Sequence, residues 1–162
     1  MNHHRSLLRR KQCQRLGYPL IQGLCTQATP HHQQAQRAAA FAQALGRPLM
    51  VKRASDIASK YVGETESNMA HMFAEAQAEG AVLLLDEADS FLRSRQRAER
   101  TYEVTEVNEM LQGMERFPGV FICTTNLFDE LDEAALRRFT FKIRFKPLTA
   151  EQRERMFVAE AL

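Results

Sequence analysis

Ala81-Val82-Leu83-Leu84-Leu85-Asp86-Glu87-Ala88-Asp89 contains an apolar run followed at once by two carboxylates. Five apolar residues in succession, without the period of two that marks a half-exposed strand, predict a short β-strand buried on both faces. Asp86 and Glu87 follow at its carboxyl end, which is where open α/β sheets place their ligands. The simpler interpretation is a buried strand that ends in a solvated acidic turn.

A pair of carboxylates at a strand end has a specific use in nucleoside triphosphatases. There the first carboxylate, here Asp86, holds Mg²⁺ through water, and the second, here Glu87, polarises the water that attacks the terminal phosphate. The motif is short, so it predicts this chemistry only if other parts of the same site occur elsewhere in the chain.

The composition is that of one ordinary globular domain. The 162 residues are 44% apolar and 26% charged, and no apolar run reaches the length of a membrane span or resembles a signal peptide. Cys13, Cys25 and Cys123 lack metal-ligand spacing and suit a reduced interior. We therefore expect a cytoplasmic protein without a membrane segment.

Charge divides the chain at residue 40. Residues 1–40 contain six Lys or Arg and no acidic residue, whereas residues 41–162 carry a net charge of −4. A basic leader can contact nucleic acid, but this one shows no reliable sign of it. We expect residues 1–40 to be disordered or to lie outside the folded unit, residues 41–148 to form a partial core, and residues 149–162 to begin a truncated helical lid.

Strands and helices alternate along the core, which predicts an α/β domain with a mainly parallel sheet. The last strand alternates polar and apolar residues, which predicts one buried face. The apolar patterns and turn residues predict strands at 48–51, 81–85, 120–124 and 139–145, and helices at 35–45, 65–79, 102–115 and 132–137.

Four motifs together resemble the core of an AAA+ ATPase of the classical AAA branch. They are Tyr61-Val62-Gly63-Glu64 before a helix, Leu85-Asp86-Glu87-Ala88-Asp89 after a strand, Thr124-Thr125-Asn126 after the next strand, and Leu131 to Phe139. Their order and spacing match the family from about Phe41 onward. The resemblance implies a three-layer αβα sandwich around a P-loop-NTPase-type sheet. It also implies ATP and Mg²⁺ as cofactors, a protein substrate, and a homo-oligomeric ring, a hexamer.

The resemblance assigns roles around the nucleotide. Asp86 would bind Mg²⁺ and Glu87 would activate water as the Walker B pair, and Asn126 would be sensor 1, whose neutral amide orients water or contacts the γ-phosphate. Arg137 and Arg138 would include the arginine finger, which reaches the ATP of a neighbouring subunit. Because the two arginines are adjacent, either can be the finger. Taken singly, Asn126 is a turn residue and the arginines are a basic patch at a helix end.

Tyr61-Val62-Gly63 resembles the first pore loop of the family, in which an aromatic ring grips an extended polypeptide without reading its sequence. Gly63 permits a tight loop conformation. The alternative for Tyr61 is a ring packed on its own domain. Residues 93–100 are consistent with a second pore-facing loop and equally with a solvated charge run.

Asp86-Glu87-Ala88-Asp89 also spells the motif of DEAD-box RNA helicases. Those enzymes carry Ser-Ala-Thr after the following strand, where this chain has Thr124-Thr125-Asn126, and they have no segment equivalent to Tyr61-Val62-Gly63. The AAA+ interpretation is therefore preferred.

The glycine-rich phosphate loop of the family, G-x-x-x-x-G-K-[ST] or Walker A, is not recognisable. It should fall at residues 27–34, which contain no glycine, no lysine and no terminal hydroxyl. The preceding segment, Leu20 to Cys25, is a poor strand, so we expect the sheet to be incomplete at its N-terminal strand. The sequence also ends where the helical lid of the family begins. A family-like C-terminal part joined to an acid-free leader suggests a truncated or frame-shifted copy of a longer gene.

Two functions follow from these features. The first is an AAA+ ATPase core that hydrolyses ATP in a ring to remodel or thread protein. The second is a degenerate AAA+ fragment that binds no nucleotide and serves as an interaction subunit, or is a non-functional gene product. The carboxylates of Asp86 and Glu87 favour the first function and residues 27–34 favour the second, so the sequence does not assign stand-alone activity.

Overall fold

Strands and helices alternate through the residues that the computed structural model describes, which are 24–27, 31–95, 101–144 and 149–161. The strands are β1 (Leu24–Gln27), β2 (Leu49–Arg53), β3 (Val82–Asp86), β4 (Phe121–Thr125) and β5 (Phe141–Arg144). The helices are α1 (His31–Leu45), α2 (Ala54–Ile57), α3 (Glu64–Glu79), α4 (Asp89–Leu92), α5 (Thr101–Arg116), α6 (Glu133–Arg138) and α7 (Ala150–Ala161). None of these helices is both long enough and apolar enough to cross a membrane.

The strands form one sheet in the order β2-β3-β4-β1-β5, and every neighbouring pair is parallel. Parallel neighbours need crossover connections, which the intervening helices supply. The predicted α/β architecture is confirmed.

The gap predicted at the N-terminal strand is not present. β1 lies between β4 and β5, with Leu24 opposite both Ile122 and Phe141. Backbone pairing on both edges stabilises a strand that its own sequence favours only weakly. Helix α1 continues through residue 40, so part of the segment expected to be a leader belongs to the sheet and to the helical layer.

The unbroken apolar run in β3 is explained by helices on both faces of the sheet. Leu83 and Leu85 belong to a large cluster that also contains residues of α3 and α5. Val82 and Leu84 belong to a second cluster with alanines of α1. The alternation within β3 therefore separates two cores, and the three layers are α1, the sheet, and α3 with α5.

Strand β5 differs from its prediction. The alternating pattern predicts one buried face, but all four residues are exposed. β5 is an outer strand that pairs only with β1, and neither Phe141 nor Ile143 joins a core cluster of the described residues.

Helix α5 packs against α3 through a glycine. A Cβ atom on Gly113 would lie 2.3 Å from Cε2 of Phe73. The Phe73 ring cannot retreat easily, because its centroid lies 5.7 Å from that of Phe117 and 5.6 Å from that of Phe121. This contact sets how closely the two helices approach.

We predict that Gly113→Ala lowers the free energy of unfolding by about 1–3 kcal/mol, the usual cost of overpacking a core. Alanine favours a helix over glycine by roughly 1 kcal/mol, so a destabilisation can only come from the clash. Urea unfolding measures the effect, with Gln112→Ala on the exposed side as the control. A stabilised Gly113→Ala variant would contradict the described packing.

Candidate functional site

The ends of β3 and β4 are joined by hydrogen bonds through one threonine. The Thr124 hydroxyl donates to Oδ1 of Asp86 and accepts from the backbone N–H of Glu87 at 3.2 Å. The N–H of Ala88 donates to the Thr124 carbonyl at 3.0 Å. Because β3 and β4 are adjacent and parallel, these bonds bring the predicted carboxylate pair to the same sheet edge as the end of β4.

A second threonine repeats the arrangement one residue further on. The Thr125 hydroxyl donates to Oδ1 of Asp89, and the N–H of Leu127 lies 3.0 Å from Oγ1 of Thr125 and 3.3 Å from Oδ1 of Asp89. Asn126 lies between these fixed neighbours with its side chain exposed. No role was predicted for either threonine of the motif Thr124-Thr125-Asn126, although two adjacent hydroxyls directly after an apolar run were the available signal.

The two predicted carboxylates are held in different environments. Asp86 is 9% exposed, whereas Glu87 is exposed at the sheet edge. Glu87 has a φ of 59°, in the left-handed region that a non-glycine residue adopts at a cost of about 1 kcal/mol. Such strain persists where the surroundings enforce it, here through the bond from the Glu87 N–H to Thr124.

The residues opposite this edge do not fit the phosphates of ATP. β1 ends at Gln27 and α1 begins at His31, so residues 28–30 lie between them in the sequence. These three residues include neither glycine nor lysine.

Asp86 suits water-mediated Mg²⁺, but the described residues contain no group of three or more His, Cys, Asp or Glu side chains that could hold a metal ion.

The segment resembling a pore loop projects from the domain. Tyr61 is 60% exposed and Val62 is 96% exposed, so most of both residues is accessible to solvent. Gly63 has a φ of 85° and directly precedes α3, a conformation that favours glycine. The base of the loop is fixed because the N–H of Ser59 donates to Oγ1 of Thr65 at 3.0 Å and the N–H of Tyr61 donates to Oγ of Ser59 at 3.2 Å.

A cleft of about 310 Å³ lies beside this loop. Burial raises the pKa of Glu106 above its ordinary value; the like charge of Glu66 raises it further, and the hydroxyl of Thr65 opposes the shift. The cleft is lined by Ser59, Lys60, Tyr61, Val62, Gly63, Glu66, Tyr102 and Glu106.

The two adjacent arginines differ in their contacts. The Arg137 side chain is 78% exposed and pairs along its own helix with the exposed Glu133, with Nη2 2.9 Å from Oε2. The Arg138 side chain is 29% exposed; Nη1 donates to the Ala134 carbonyl at 2.7 Å and Nη2 donates to Glu115 on α5. Arg138 therefore fixes the end of α6, and Arg137 projects from the surface.

Asp132 is a structural residue that the sequence analysis did not single out. Its Oδ1 accepts from the N–H of Ala134 at 2.8 Å, which caps α6, and Nε of Arg95 donates to Oδ2 at 3.0 Å. Burial acts to raise the pKa of Asp132, but the bonds from Arg95 and Ala134 outweigh it and hold that pKa below its ordinary value. Arg95 belongs to the predicted charge run 93–100, of which 96–100 lie outside the described residues.

Comparison with known proteins finds a matching family model and several similar proteins. The family model described as "ATPase family associated with various cellular activities (AAA)" matches residues 35–147. The uncharacterized protein ORF529 of Acidianus two-tailed virus is 33% identical over 147 residues, covering 82% of this chain and 28% of the viral protein. Spastins of Drosophila erecta and Drosophila melanogaster are 36% identical over 98 residues, covering 56% of this chain and 13% of each spastin. The chain thus spans less than a third of the length of these relatives.

We predict that Asp132→Asn lowers stability at neutral pH by about 1 kcal/mol, a modest value because Arg95 is partly exposed. Asparagine still caps a helix, so the loss reports the charge. A carboxylate whose pKa is depressed by folding contributes fully above its unfolded value, near 3.8, and loses that contribution as the pH falls towards its folded value.

The difference between the two proteins should therefore be constant above about pH 5 and shrink below about pH 4. Urea unfolding as a function of pH measures it, with the exposed Asp129→Asn as the control. A difference that does not change down to pH 3 would contradict the assigned role of the Asp132 charge.

Proposed function

The chain belongs to the AAA family of ATPases, and on this premise we propose that it acts as a subunit of an oligomeric AAA ring. In this function it presents Arg137 to ATP held by a neighbouring subunit and binds no nucleotide of its own. The observation that carries the proposal is that residues 27–34, where the phosphate loop should fall, contain neither glycine nor lysine.

The amino end of α1 cannot compensate for the missing phosphate loop. Backbone N–H groups of a glycine-rich loop and its lysine supply most of the fixed positive potential around the phosphates. The amino end of α1 offers a helix dipole worth about 1 kcal/mol at most in an exposed setting. That cannot replace a loop and a lysine.

The contacts of α6 favour Arg137 over Arg138 as the finger. An exposed ion pair within a helix, such as Arg137 with Glu133, is worth about 0.5 kcal/mol and is easily given up. Arg138 would have to leave both the Ala134 carbonyl and Glu115. A guanidinium placed beside a transferring phosphoryl group of the neighbour neutralises developing charge, which is worth roughly 10³–10⁵ in rate.

The exposed Tyr61 and Val62 support a protein substrate. A ring and a branched side chain on a fixed loop can grip an extended polypeptide by packing alone. In a ring, several such loops would surround one chain, so this subunit would contribute to grip without hydrolysing ATP.

A second function is favoured by the sheet edge itself. The bonds from Thr124 to Asp86 and Glu87, with Asn126 directly after β4, support the roles of Walker B pair and sensor 1 in a self-sufficient ATPase. Under this function a part of the protein outside the described residues would have to hold the phosphates.

We predict that the chain shows no detectable binding of Mg·ATP at millimolar concentration, because it lacks the phosphate cradle. Isothermal titration calorimetry measures binding, and Asp86→Ala serves as the control, which should give the same flat titration. Micromolar affinity that Asp86→Ala abolishes would contradict the proposal and support the self-sufficient ATPase.

We predict that the chain supplies its finger to a receiver subunit. The receiver carries Arg137→Ala and a G-x-x-x-x-G-K-T segment in place of residues 27–34, so it can hold ATP but cannot donate a finger. Adding the unmodified chain should raise receiver ATP turnover by roughly 10³-fold or more at full assembly.

The matched control is the same chain with Arg137→Ala as donor, which should not stimulate, with co-assembly of both mixtures checked by analytical ultracentrifugation. If Arg137→Ala donors stimulate as well as the unmodified chain, Arg137 is not the finger.

A further inference from the structure

We infer that Arg95 is a positioning residue for the finger: its guanidinium sets the placement of α6, and hence of Arg137, by bridging Asp132 and Asn108. This inference rests on the proposed finger role of Arg137. Arg95 lies in the segment that follows α4, far along the chain from the helix that it holds.

Asp132 is bound from three directions by this one arginine. The backbone N–H of Arg95 donates to Oδ2 at 3.2 Å, Nε donates to the same oxygen at 3.0 Å, and Nη2 donates to Oδ1 at 3.3 Å. The remaining nitrogen, Nη1, donates to Oδ1 of Asn108 on α5 at 3.0 Å. Asp132 itself caps α6 through Ala134, so the guanidinium joins the first turn of α6 to α5.

The main chain reinforces the same junction. The N–H of Asp132 donates to the Leu92 carbonyl at 2.8 Å, and the N–H of Ser94 donates to the Glu130 carbonyl at 3.0 Å. Between them, Arg93 and Leu131 form an antiparallel bridge. The segment that carries Arg95 therefore has a fixed register against the residues that lead into α6.

Helix α6 depends on these tethers because it has only six residues, and a helix that short is not stable alone. Its carboxyl end is held where Arg138 meets Glu115. Asn108 and Glu115 are seven residues apart, two turns or about 10.5 Å along α5, and α6 with its cap spans about 9 Å from Asp132 to Arg138. The two attachment points are therefore spaced similarly on both helices. The two tethers hold α6 alongside α5, with Arg137 on the exposed side.

Only a guanidinium suits the bridge. Its planar fork can bond two oxygens of one carboxylate and still direct a further N–H to a third group. A lysine keeps the charge but has a single nitrogen, so Arg95→Lys should preserve the electrostatic attraction and lose the link to α5. A merely electrostatic role would tolerate that change.

The closing experiment uses the unmodified chain and its Arg95→Lys variant as finger donors to the receiver defined above. We expect the variant to lower receiver kcat roughly tenfold to a hundredfold, as misplacement of a catalytic group by about an ångström does. The receiver's KM for ATP should stay unchanged, because the finger acts on the transition state. Arg93→Lys, an exposed neighbour that lies 4.0 Å from Glu130, is the matched control and should stimulate fully.

Hydrogen exchange on the chain alone gives a readout that does not need activity. In the Arg95→Lys variant, amides of α6 should exchange faster while those of β3 and β4 keep their protection. Asn108→Ala removes only the α5 end of the bridge and should increase amide exchange in α6 by a smaller amount. This variant provides the test if Arg95→Lys does not fold.

The outcomes separate the two proposals. If the unmodified chain does not stimulate the receiver, the proposed function fails, and exchange alone then decides the role of Arg95. If Arg95→Lys stimulates as well as the unmodified chain, or if α6 keeps its protection in both variants, the inference is overturned.

Discussion

The parallel pairing of β3 with β4 is the constraint on which the structure depends. Both strands are fully buried, so their side chains divide between two cores while their carboxyl ends meet at one edge. Two threonines of β4 donate to two carboxylates, that of Asp86 at the end of β3 and that of Asp89 at the start of α4. Packing thereby fixes the polar groups: the cores hold the strands in register, and the register places each hydroxyl against its carboxylate.

The short elements that follow β3 and β4 are held in place by polar contacts. α4 follows the carboxylates, the segment after it carries Arg95, and Arg95 holds the start of α6 through Asp132. Arg138 holds the end of α6 to α5. The exposed Arg137 therefore takes its position from a continuous chain of contacts that begins at the sheet. Between β1 and α1, by contrast, the sequence lacks the glycine and the lysine of a phosphate loop.

The sequence predicted the parts of the fold that depend on local pattern. The apolar run before Asp86 indicated a strand buried on both faces, and the observed clusters on its two sides explain why that run has no period of two. β1 was not predictable, because its pairing comes from β4 and β5 and not from its own residues. The difference between Arg137 and Arg138 was not predictable either, because it depends on Glu115, which is 23 residues away in the chain.

We propose that Asp86, Glu87 and Asn126 form the edge of an AAA ATP site from which the phosphate loop is missing. The most direct measurement is the Kd for Mg·ATP of a chain in which residues 27–34 are replaced by a G-x-x-x-x-G-K-T segment, with Asp86→Ala in the same background as its control. We predict micromolar affinity that Asp86→Ala weakens. A folded, substituted chain that still binds no Mg·ATP would contradict it.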